Sequence, residues 1–410
     1  MSPEKRRYVS VLAVRRGRSL RAVAEDMGVA RSTLQYWVAR AEGQRLSRVD
    51  WSDQPRGCRR PVNRSSASME EVVLMVRSEL REHSALGEFG ADAIRRELLA
   101  RRLPDVPCVR TLHRILERRG ALDGSRRVRR PAPPPGWYLP DVAAREAELD
   151  SFDFVEDLVI EGGPQVDVLT GISLRGSLPC AWPMPQKTAK GVVEALVEHW
   201  RAFGCPGYAQ FDNDTCFQGP HQHPDTIGRV TRLCLSLQIV PVFAPPRETG
   251  FQACIESFNG RWQTKVWARF HHPSLHHLRE RSAQYIQAYR ARSAARIEAA
   301  PERRPFPLRW RLNLQAKPTG RIIYLRRTNE HGRAELLGRT FDVDRTWVHR
   351  LVRAEVDLDQ GMISFYALRR RDPSRHLLLK ETPYKVPQRP FHDLPGCAVS
   401  CHRIVTQVAG

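Results

Sequence analysis

The chain has 410 residues, of which 41% are hydrophobic, so it is long enough for roughly two to four domains that each bury a core. Its 66 Lys and Arg exceed its 45 Asp and Glu by 21 charges, which favours a polyanionic partner over a small metabolite. The nine cysteines follow no repeated spacing, and neither an apolar signal core nor a stretch of about 18 apolar residues occurs. These features argue against a disulfide scaffold and a membrane span, and they predict a soluble, cytoplasmic protein.

The charge is unevenly distributed along the chain. Residues 1–140 carry a net charge of +13, residues 141–270 carry −5, and residues 271–410 carry +13. Basic terminal regions around an acidic central region indicate a protein that binds nucleic acid through its terminal regions and has a metal-binding centre between them. Arginine that only solvates the surface is the alternative interpretation.

Two short helices are predicted within residues 18–40, with Gly28 at the turn between them and with Ser32 and Thr33 capping the second. The polar face of the second helix has the character of a recognition helix in a major groove. The residues predicted to contact DNA on this face are Arg31, Ser32, Thr33, Gln35 and Tyr36. A helical hairpin whose polar face is only solvated would have a similar pattern.

Three further amphipathic helices are predicted over residues 71–80, 90–99 and 109–118, and the last of them is strongly basic. They suggest a second helical DNA-binding module, although a spacer bundle would look much the same. A connector rich in Pro and Arg follows, and its composition predicts an extended, semi-rigid segment.

From about residue 149 the pattern changes to three strands, a helix, a strand, a helix, a strand and a final helix. Thr188 is predicted to cap the first of these helices and Gly204 to end it. Asp212 directly follows the fourth strand, and Glu256 lies on the last helix, which is predicted over 252–267. Two carboxylates presented in this way can share a divalent metal ion.

This element order is that of a ribonuclease-H-like fold, and two segments resemble the catalytic core of the retroviral-integrase type. Residues 211–217 read Phe-Asp-Asn-Asp-Thr-Cys-Phe and resemble the Asp-Asn-Gly-x-x-Phe motif of that family, with Asp214 in place of the glycine. Residues 255–259 read Ile-Glu-Ser-Phe-Asn and resemble its Glu-Arg-Phe-Asn segment, with Ser257 in place of the arginine. The spacing of 43 residues between the two carboxylates is longer than is usual for the family, and the excess is predicted at 218–224.

The domain order is similar to that of bacterial insertion-sequence transposases of the Asp-Asp-Glu class. The resemblance implies a polynucleotidyl transferase that binds transposon ends, cleaves their 3′ ends and transfers them into target DNA as a homo-oligomer. It implies Mg²⁺ or Mn²⁺, as two ions, on three catalytic ligands: Asp153, Asp212 and Glu256. Such a protein would be nucleoid-associated when bound to double-stranded DNA. A metal-dependent nuclease without joining activity and a catalytically inactive DNA-binding regulator are the alternatives.

Three aspartates of the first strand could supply the first of these ligands. Asp153 fits best, because it lies between two apolar residues in the first strand, while Asp150 and Asp157 remain open. On the helix of Glu256, the polar side chains of Asn259 and Lys265 are predicted to contact the DNA backbone.

Short strands within residues 319–388 predict a small basic barrel that resembles the SH3-like C-terminal domain of integrases, with arginines at 369–371 facing phosphates. The histidines of residues 271–277 indicate a helix cap with solvated imidazoles in preference to a metal site. The Cys and His of residues 397–402 likewise lack the second pair of ligands that a zinc site needs. The predicted fold is therefore multidomain, with helix-turn-helix modules, an α/β core with a mixed sheet and a small barrel. Its predicted boundaries are 1–45 (helix-turn-helix), 46–68 (linker), 69–123 (second helical module), 124–144 (linker), 145–295 (catalytic core), 296–318 (linker), 319–388 (SH3-like barrel) and 389–410 (tail).

Overall fold

A computed structural model describes residues 1–53, 65–122, 135–220, 223–248, 250–369, 375–387 and 391. The chain divides into two compact units, Met1–Glu71 and Val72–Gly410. Several predicted features lie outside the described residues, namely residues 54–64 and 124–134 of the two early linkers, residues 221–222 of the insertion, two of the three arginines at 369–371, and the Cys/His segment of the tail. Within the described ranges, no helix is both long enough and apolar enough to cross a membrane.

The first unit is helical. Its elements are α1 (Pro3–Arg15), α2 (Leu20–Asp26), α3 (Arg31–Arg40) and a 3₁₀ turn (Leu46–Arg48). The turn at Gly28 is confirmed, because this residue has φ +57° and links α2 to α3. The predicted cap is wrong: Ala30 precedes α3 without a side-chain cap, so Ser32 and Thr33 lie inside the first helical turn. Leu34 is fully buried and joins α3 to the small core of this unit.

The second predicted group of helices is present as α4 (Ala67–His83), α5 (Ala91–Ala100) and α6 (Val109–Arg118). Ile94, Leu98, Leu112 and Leu116 are fully buried, as the apolar spacing on α5 and α6 requires. The Arg77 guanidinium ties this group together by donating to the carbonyls of residues 89 and 121, at 2.8 and 2.7 Å.

The centre of the second unit is a mixed sheet. Its first strands are β1 (Leu149–Val159), β2 (Gln165–Ser173), β3 (Pro179–Met184), β4 (Tyr208–Phe211) and β5 (Val240–Phe243). The helices are α7 (Pro140–Ala143), α8 (Ala189–Phe203), α9 (Thr215–Gln218), α10 (Arg229–Ser236), α11 (Ala253–Trp262) and α12 (Leu275–Glu298), with a π-helical turn (Gln263–Trp267) after α11. Thr188 caps α8 and Gly204 ends it, as predicted.

β1, β2 and β3 are antiparallel neighbours, whereas β4 and β5 run parallel to β1 on its other side. This large mixed sheet and the order of its helices agree with the order of elements predicted from residue 149 onward. The alternation of β1 directs its apolar side chains to two different cores. Phe152 packs with Trp200 of α8 and stacks on Phe211, while Val155 joins a second core with Phe258 of α11.

The C-terminal strands are β6 (Arg321–Arg327), β7 (Arg333–Leu336), β8 (Arg339–Asp342), β9 (Leu351–Asp357), β10 (Met362–Ala367) and β11 (Leu378–Pro383). A separate SH3-like barrel is not confirmed. Four of these strands continue the central sheet in the order β11-β10-β9-β6-β5, and β7 and β8 form a two-stranded sheet. The five central residues of β6 are all buried, so this strand has the character of an interior strand with neighbours on both sides.

Candidate active site

Two of the predicted carboxylates, Asp153 and Asp212, come from neighbouring parallel strands. β1 and β4 pair with Ser151 opposite Gln210, so the same register continued by two residues brings Asp153 level with Asp212. Asp153 keeps the alternation of β1, which directs its side chain to the face opposite Phe152. Asp212 is the first residue after β4, and both aspartates are half-buried. The local strand geometry therefore presents two carboxylates at one edge of the sheet.

The electrostatic environment of Asp153 shows that the acidic side chains share one region. Burial raises the pKa of the Asp153 carboxyl to about 7, and the charges of Asp212, Glu156 and Glu256 add to the rise. The backbone N–H of Phe154 donates to the Asp153 carboxylate, and this hydrogen bond partly opposes the rise in pKa. A carboxylate in this setting is destabilised by its neighbours, and a divalent cation would relieve that repulsion.

Helix α11, which carries Glu256, packs against β1 and β2. Glu256 is exposed, and Asn259 lies one turn later on the same face of the helix. The Asn259 amide donates from Nδ2 to Oδ2 of Asp153 at 2.9 Å. Its Oδ1 accepts from the Thr170 hydroxyl at 2.6 Å, and that hydroxyl also lies 3.0 Å from the main-chain oxygen of Asp153. Asn259 thus connects the helix of Glu256 directly to the first aspartate.

The two alternatives for the first aspartate have different surroundings. Asp150 is buried, and Arg303 donates to both of its carboxylate oxygens at 2.9 and 2.5 Å, while Trp200 Nε1 donates at 3.2 Å. Burial by itself would raise the pKa of Asp150, but the Arg303 charge and these hydrogen bonds hold it below its ordinary value. Asp157 is exposed at a β-bulge with φ +58°. Asp150 therefore has a buried ion-pair partner, whereas Asp153 is the aspartate of β1 that lies level with Asp212.

Asp214, which stands where the resembled motif has glycine, caps the short helix α9. Its φ is −62°, a conformation that needs no glycine, and its carboxylate accepts from the Cys216 N–H at 2.7 Å. The Asp214 N–H in turn donates to Asp212 at 3.0 Å. Lys187 forms ion pairs with Asp214, at 2.8 Å, and with Glu156. Lys187 is not among the residues predicted from the sequence, although it directly precedes Thr188, the cap of α8, at the end of the loop that follows β3.

Burial also raises the pKa of Asp212, and the nearby charge of Asp214 adds to the rise. The Asp214 N–H and the Lys187 ammonium oppose this effect. Among the three predicted ligands, then, two carboxyls have raised pKa values for the same main reason, which is burial beside other acids.

The residues predicted to contact DNA fall into two groups. All five on α3 are exposed, with Leu34 buried between them: Arg31, Ser32, Thr33, Gln35 and Tyr36. By contrast, the Asn259 amide is buried against Asp153, and Lys265 donates to the Gly87 carbonyl at 2.9 Å near the loop after α4. DNA contact stays a prediction for both groups, while the structure gives Asn259 and Lys265 intramolecular partners.

The predicted metal ligands are suited by residue type to a hard divalent cation. All three predicted ligands carry carboxylate oxygens, which hard divalent cations prefer. Within the part of the chain that the structure describes, no three His, Cys, Asp or Glu side chains come close enough together to hold one ion. Asp153 and Asp212 thus lie on adjacent strands, and Glu256 lies on α11; a shared metal ion stays a prediction.

The histidine segment at 271–277 is organised around the start of α12. Ser274 caps the helix by accepting from the backbone N–H of residue 277. His271 and His276 are exposed and lie beside Glu161 and Glu280, at 2.9 and 3.3 Å. The expectation of solvated imidazoles is wrong for His272, which is buried and stacks on the Trp267 ring at 5.1 Å.

No protein-family model matches the chain, and no curated protein matches it. Retroviral integrase catalytic cores are among its structural neighbours. The catalytic core domain of BIV integrase is 16% identical over 35% of this chain and 81% of its own, with a TM-score of 0.26. The HTLV-2 integrase core in complex with magnesium is 10% identical over 34% and 82%, with a TM-score of 0.24. A simian T-cell lymphotropic virus intasome chain is 13% identical over 74% and 95%, with a TM-score of 0.32. At these values the similarity assigns neither a family nor a residue role.

Proposed function

We propose that the chain is a DNA transposase or integrase, a metal-dependent polynucleotidyl transferase that cleaves 3′ ends and joins them to target DNA. The observation that carries the proposal is the placement of Asp153 and Asp212 at the same level of two adjacent parallel strands. Their side chains are half-buried, and burial together with neighbouring acids raises the pKa of Asp153 to about 7. Two carboxylates this close destabilise the folded protein when both are ionised and no cation is bound, because they repel each other.

In this proposal Asp153 and Asp212 hold Mg²⁺ or Mn²⁺, as two ions, and Glu256 completes the ligand set from α11. When bound, the ions would activate the attacking oxygen and stabilise the leaving one in an in-line displacement. Asn259 keeps the Asp153 carboxylate in place through its 2.9 Å hydrogen bond, and Thr170 in turn orients the amide. The carboxylates act as ligands here and not as general acids, since ligands must be deprotonated to bind the ion.

DNA binding is assigned to the basic regions that flank the core. The net charge of +21 supports binding to a polyanion in general. The exposed polar face of α3 supports recognition of transposon ends in the major groove, with Arg31, Gln35 and Tyr36 at its centre. Because two ends must be brought together before joining, we infer that the active form is a homo-oligomer on double-stranded DNA.

The test is a strand-transfer assay with purified full-length chain. Labelled, precut double-stranded DNA taken from either side of its own gene serves as the donor, with plasmid as the target and Mg²⁺ or Mn²⁺ as the ion. We expect joined products from the wild type and none from Asp212→Asn or Glu256→Gln. Asp157→Asn is the matched control, because it removes an exposed carboxylate from the same strand as Asp153.

Three outcomes separate the possible functions. Joining that persists in Glu256→Gln contradicts the assigned site. Metal-dependent cutting without joining identifies a nuclease that uses the same carboxylates. Binding of the donor DNA with neither cutting nor joining, unchanged by Asp212→Asn and Glu256→Gln, identifies a catalytically inactive regulator.

A further inference from the structure

A buried arginine from the C-terminal strands reaches the loop that carries Asp212. Arg326 lies on β6 and is only 7% exposed. Its Nη2 donates to Oδ1 of Asn213 at 2.9 Å, and its Nη1 lies 3.3 Å from the Ala244 carbonyl and 2.8 Å from that of Leu325. Its Nε donates to the Glu335 carbonyl at 2.8 Å. One guanidinium therefore joins the ends of β4 and β5 to the C-terminal strands.

The Asn213 side chain completes this arrangement. Its Nδ2 donates to the Ala244 carbonyl at 2.7 Å, and the Ala244 N–H donates to the Phe211 carbonyl at 3.0 Å. Asn213 is thus held on both sides, by Arg326 and by the end of β5. Because Asn213 directly follows Asp212, its fixed side chain restricts the backbone that carries the carboxylate.

Burying a charged arginine side chain is unfavourable unless its guanidinium makes specific contacts. Burial of the guanidinium lowers the pKa of Arg326 to about 10, since a desolvated charge is unfavourable. An apolar side chain would fill an interior strand without that cost. What the guanidinium adds is a planar set of donors that contacts several acceptors at once, which a lysine cannot reproduce.

We propose that Arg326 is a positioning residue for the site, acting on Asp212 through Asn213. The inference rests on the proposed function, since it assigns Asp212 to metal binding. It makes β6 and the strands that follow it part of the catalytic unit, in contrast to an appended domain that only binds DNA. Disturbing Arg326 should therefore weaken metal binding at a carboxylate that it does not touch.

The experiment measures Mn²⁺ affinity of the full-length chain by calorimetry, with thermal unfolding in EDTA recorded for every variant. We expect Arg326→Met and Asn213→Ala each to weaken Mn²⁺ binding by about 10-fold, the lower end of the effect of removing a direct hydrogen-bond partner of a metal ligand, because both residues act on Asp212 only through its backbone. The double variant should lose no more Mn²⁺ affinity than the weaker-binding single variant, because both substitutions break the same hydrogen bond between Arg326 and Asn213.

The matched control is Arg353→Met. Arg353 is 4% exposed on β9, opposite Leu325 in register, but its guanidinium contacts the Tyr138 carbonyl and Glu355. It should lower the unfolding temperature and leave Mn²⁺ affinity unchanged. Arg326→Lys keeps the charge but not the planar donors. Compared with Arg326→Met, it should recover more of the unfolding temperature than of the Mn²⁺ affinity.

The outcomes separate this inference from the proposed function. If the wild type binds Mn²⁺ through Asp212, as shown by loss in Asp212→Asn, and Arg326→Met binds it equally well, the positioning role is refuted. Losses that add in the double variant refute it as well. If Arg326→Met does not fold, the cycle is run with Arg326→Lys and Asn213→Ala, and the same criteria apply. A wild type that binds no Mn²⁺ overturns the proposed function and this inference together.

Discussion

Replacement of Asp153 by Asn should make the metal-free protein more stable at pH 8. The pKa of Asp153 rises from an ordinary 3.8 to about 7, chiefly because the side chain is buried. The folded protein therefore retains a proton that the unfolded chain releases in the same pH range. Stability from this group is present below about pH 4 and is lost as pH rises through about 7.

The size of the effect follows from the shift. About three pKa units correspond to roughly 4 kcal/mol above pH 7, and solvent access to the half-buried side chain reduces this to about 2–4 kcal/mol. The asparagine amide in Asp153→Asn removes that charge and still accepts the hydrogen bond from Asn259. We expect no difference from the wild type near pH 4 and a gain of about 2–4 kcal/mol at pH 8.

The assay is urea unfolding in EDTA at several pH values, repeated with Mg²⁺. The metal should stabilise the wild type and have little effect on Asp153→Asn. Asp150→Asn is the contrasting variant, because it breaks the buried pair with Arg303 and should cost about 3–5 kcal/mol while keeping the response to Mg²⁺. An Asp153→Asn protein that is less stable than the wild type at pH 8 would refute the electrostatic reasoning. A normal response of that variant to Mg²⁺ would refute the ligand assignment.

Three further changes test other contacts of the site and of α3. Lys187→Met should lower the free energy of unfolding by about 1–3 kcal/mol, since it leaves Asp214 without its ammonium partner; urea unfolding in EDTA measures this, and a wild-type value would show that the ion pair is solvated. Thr170→Val should cost about 1–2 kcal/mol and weaken Mn²⁺ binding, because the Asn259 oxygen loses its donor; calorimetry checks the second effect, and unchanged affinity would contradict the orienting role. Gln35→Ala should reduce discrimination between end DNA and scrambled DNA by about 1–3 kcal/mol; fluorescence anisotropy measures it, and an equal loss for both DNAs would argue against base recognition.

Several features of the core could be predicted because they depend on local pattern. The alternation of β1, the cap at Thr188 and the terminating Gly204 are determined by side chains within a few residues of each other. The order of strands and helices followed from such signals, and it agrees with the mixed sheet of the structure. The position of Asp212 directly after β4 could be predicted for the same reason, because the end of the strand follows from the local residue pattern.

Other features depended on contacts between distant segments and could not be predicted. The sequence favours Asp153 over Asp150 and Asp157, but it does not show that Asp150 is paired with Arg303, 153 residues away, or that Asp153 lies level with Asp212. The polar spacing on α11 suggested DNA contact for Asn259, but that spacing could not show that Asp153 lies within hydrogen-bond distance.

The local elements, the excess of positive charge and the positions of Asp212 after β4 and Glu256 on α11 all follow from the amino-acid sequence. The pairing of β6 with β5 depends on tertiary contacts, and through it the strands expected in a separate barrel extend the central sheet and bring Arg326 to Asn213. The physical reason is that strand alternation defines which faces are buried but does not specify the neighbour. The partner of a buried edge is determined by packing and hydrogen bonding across the whole unit.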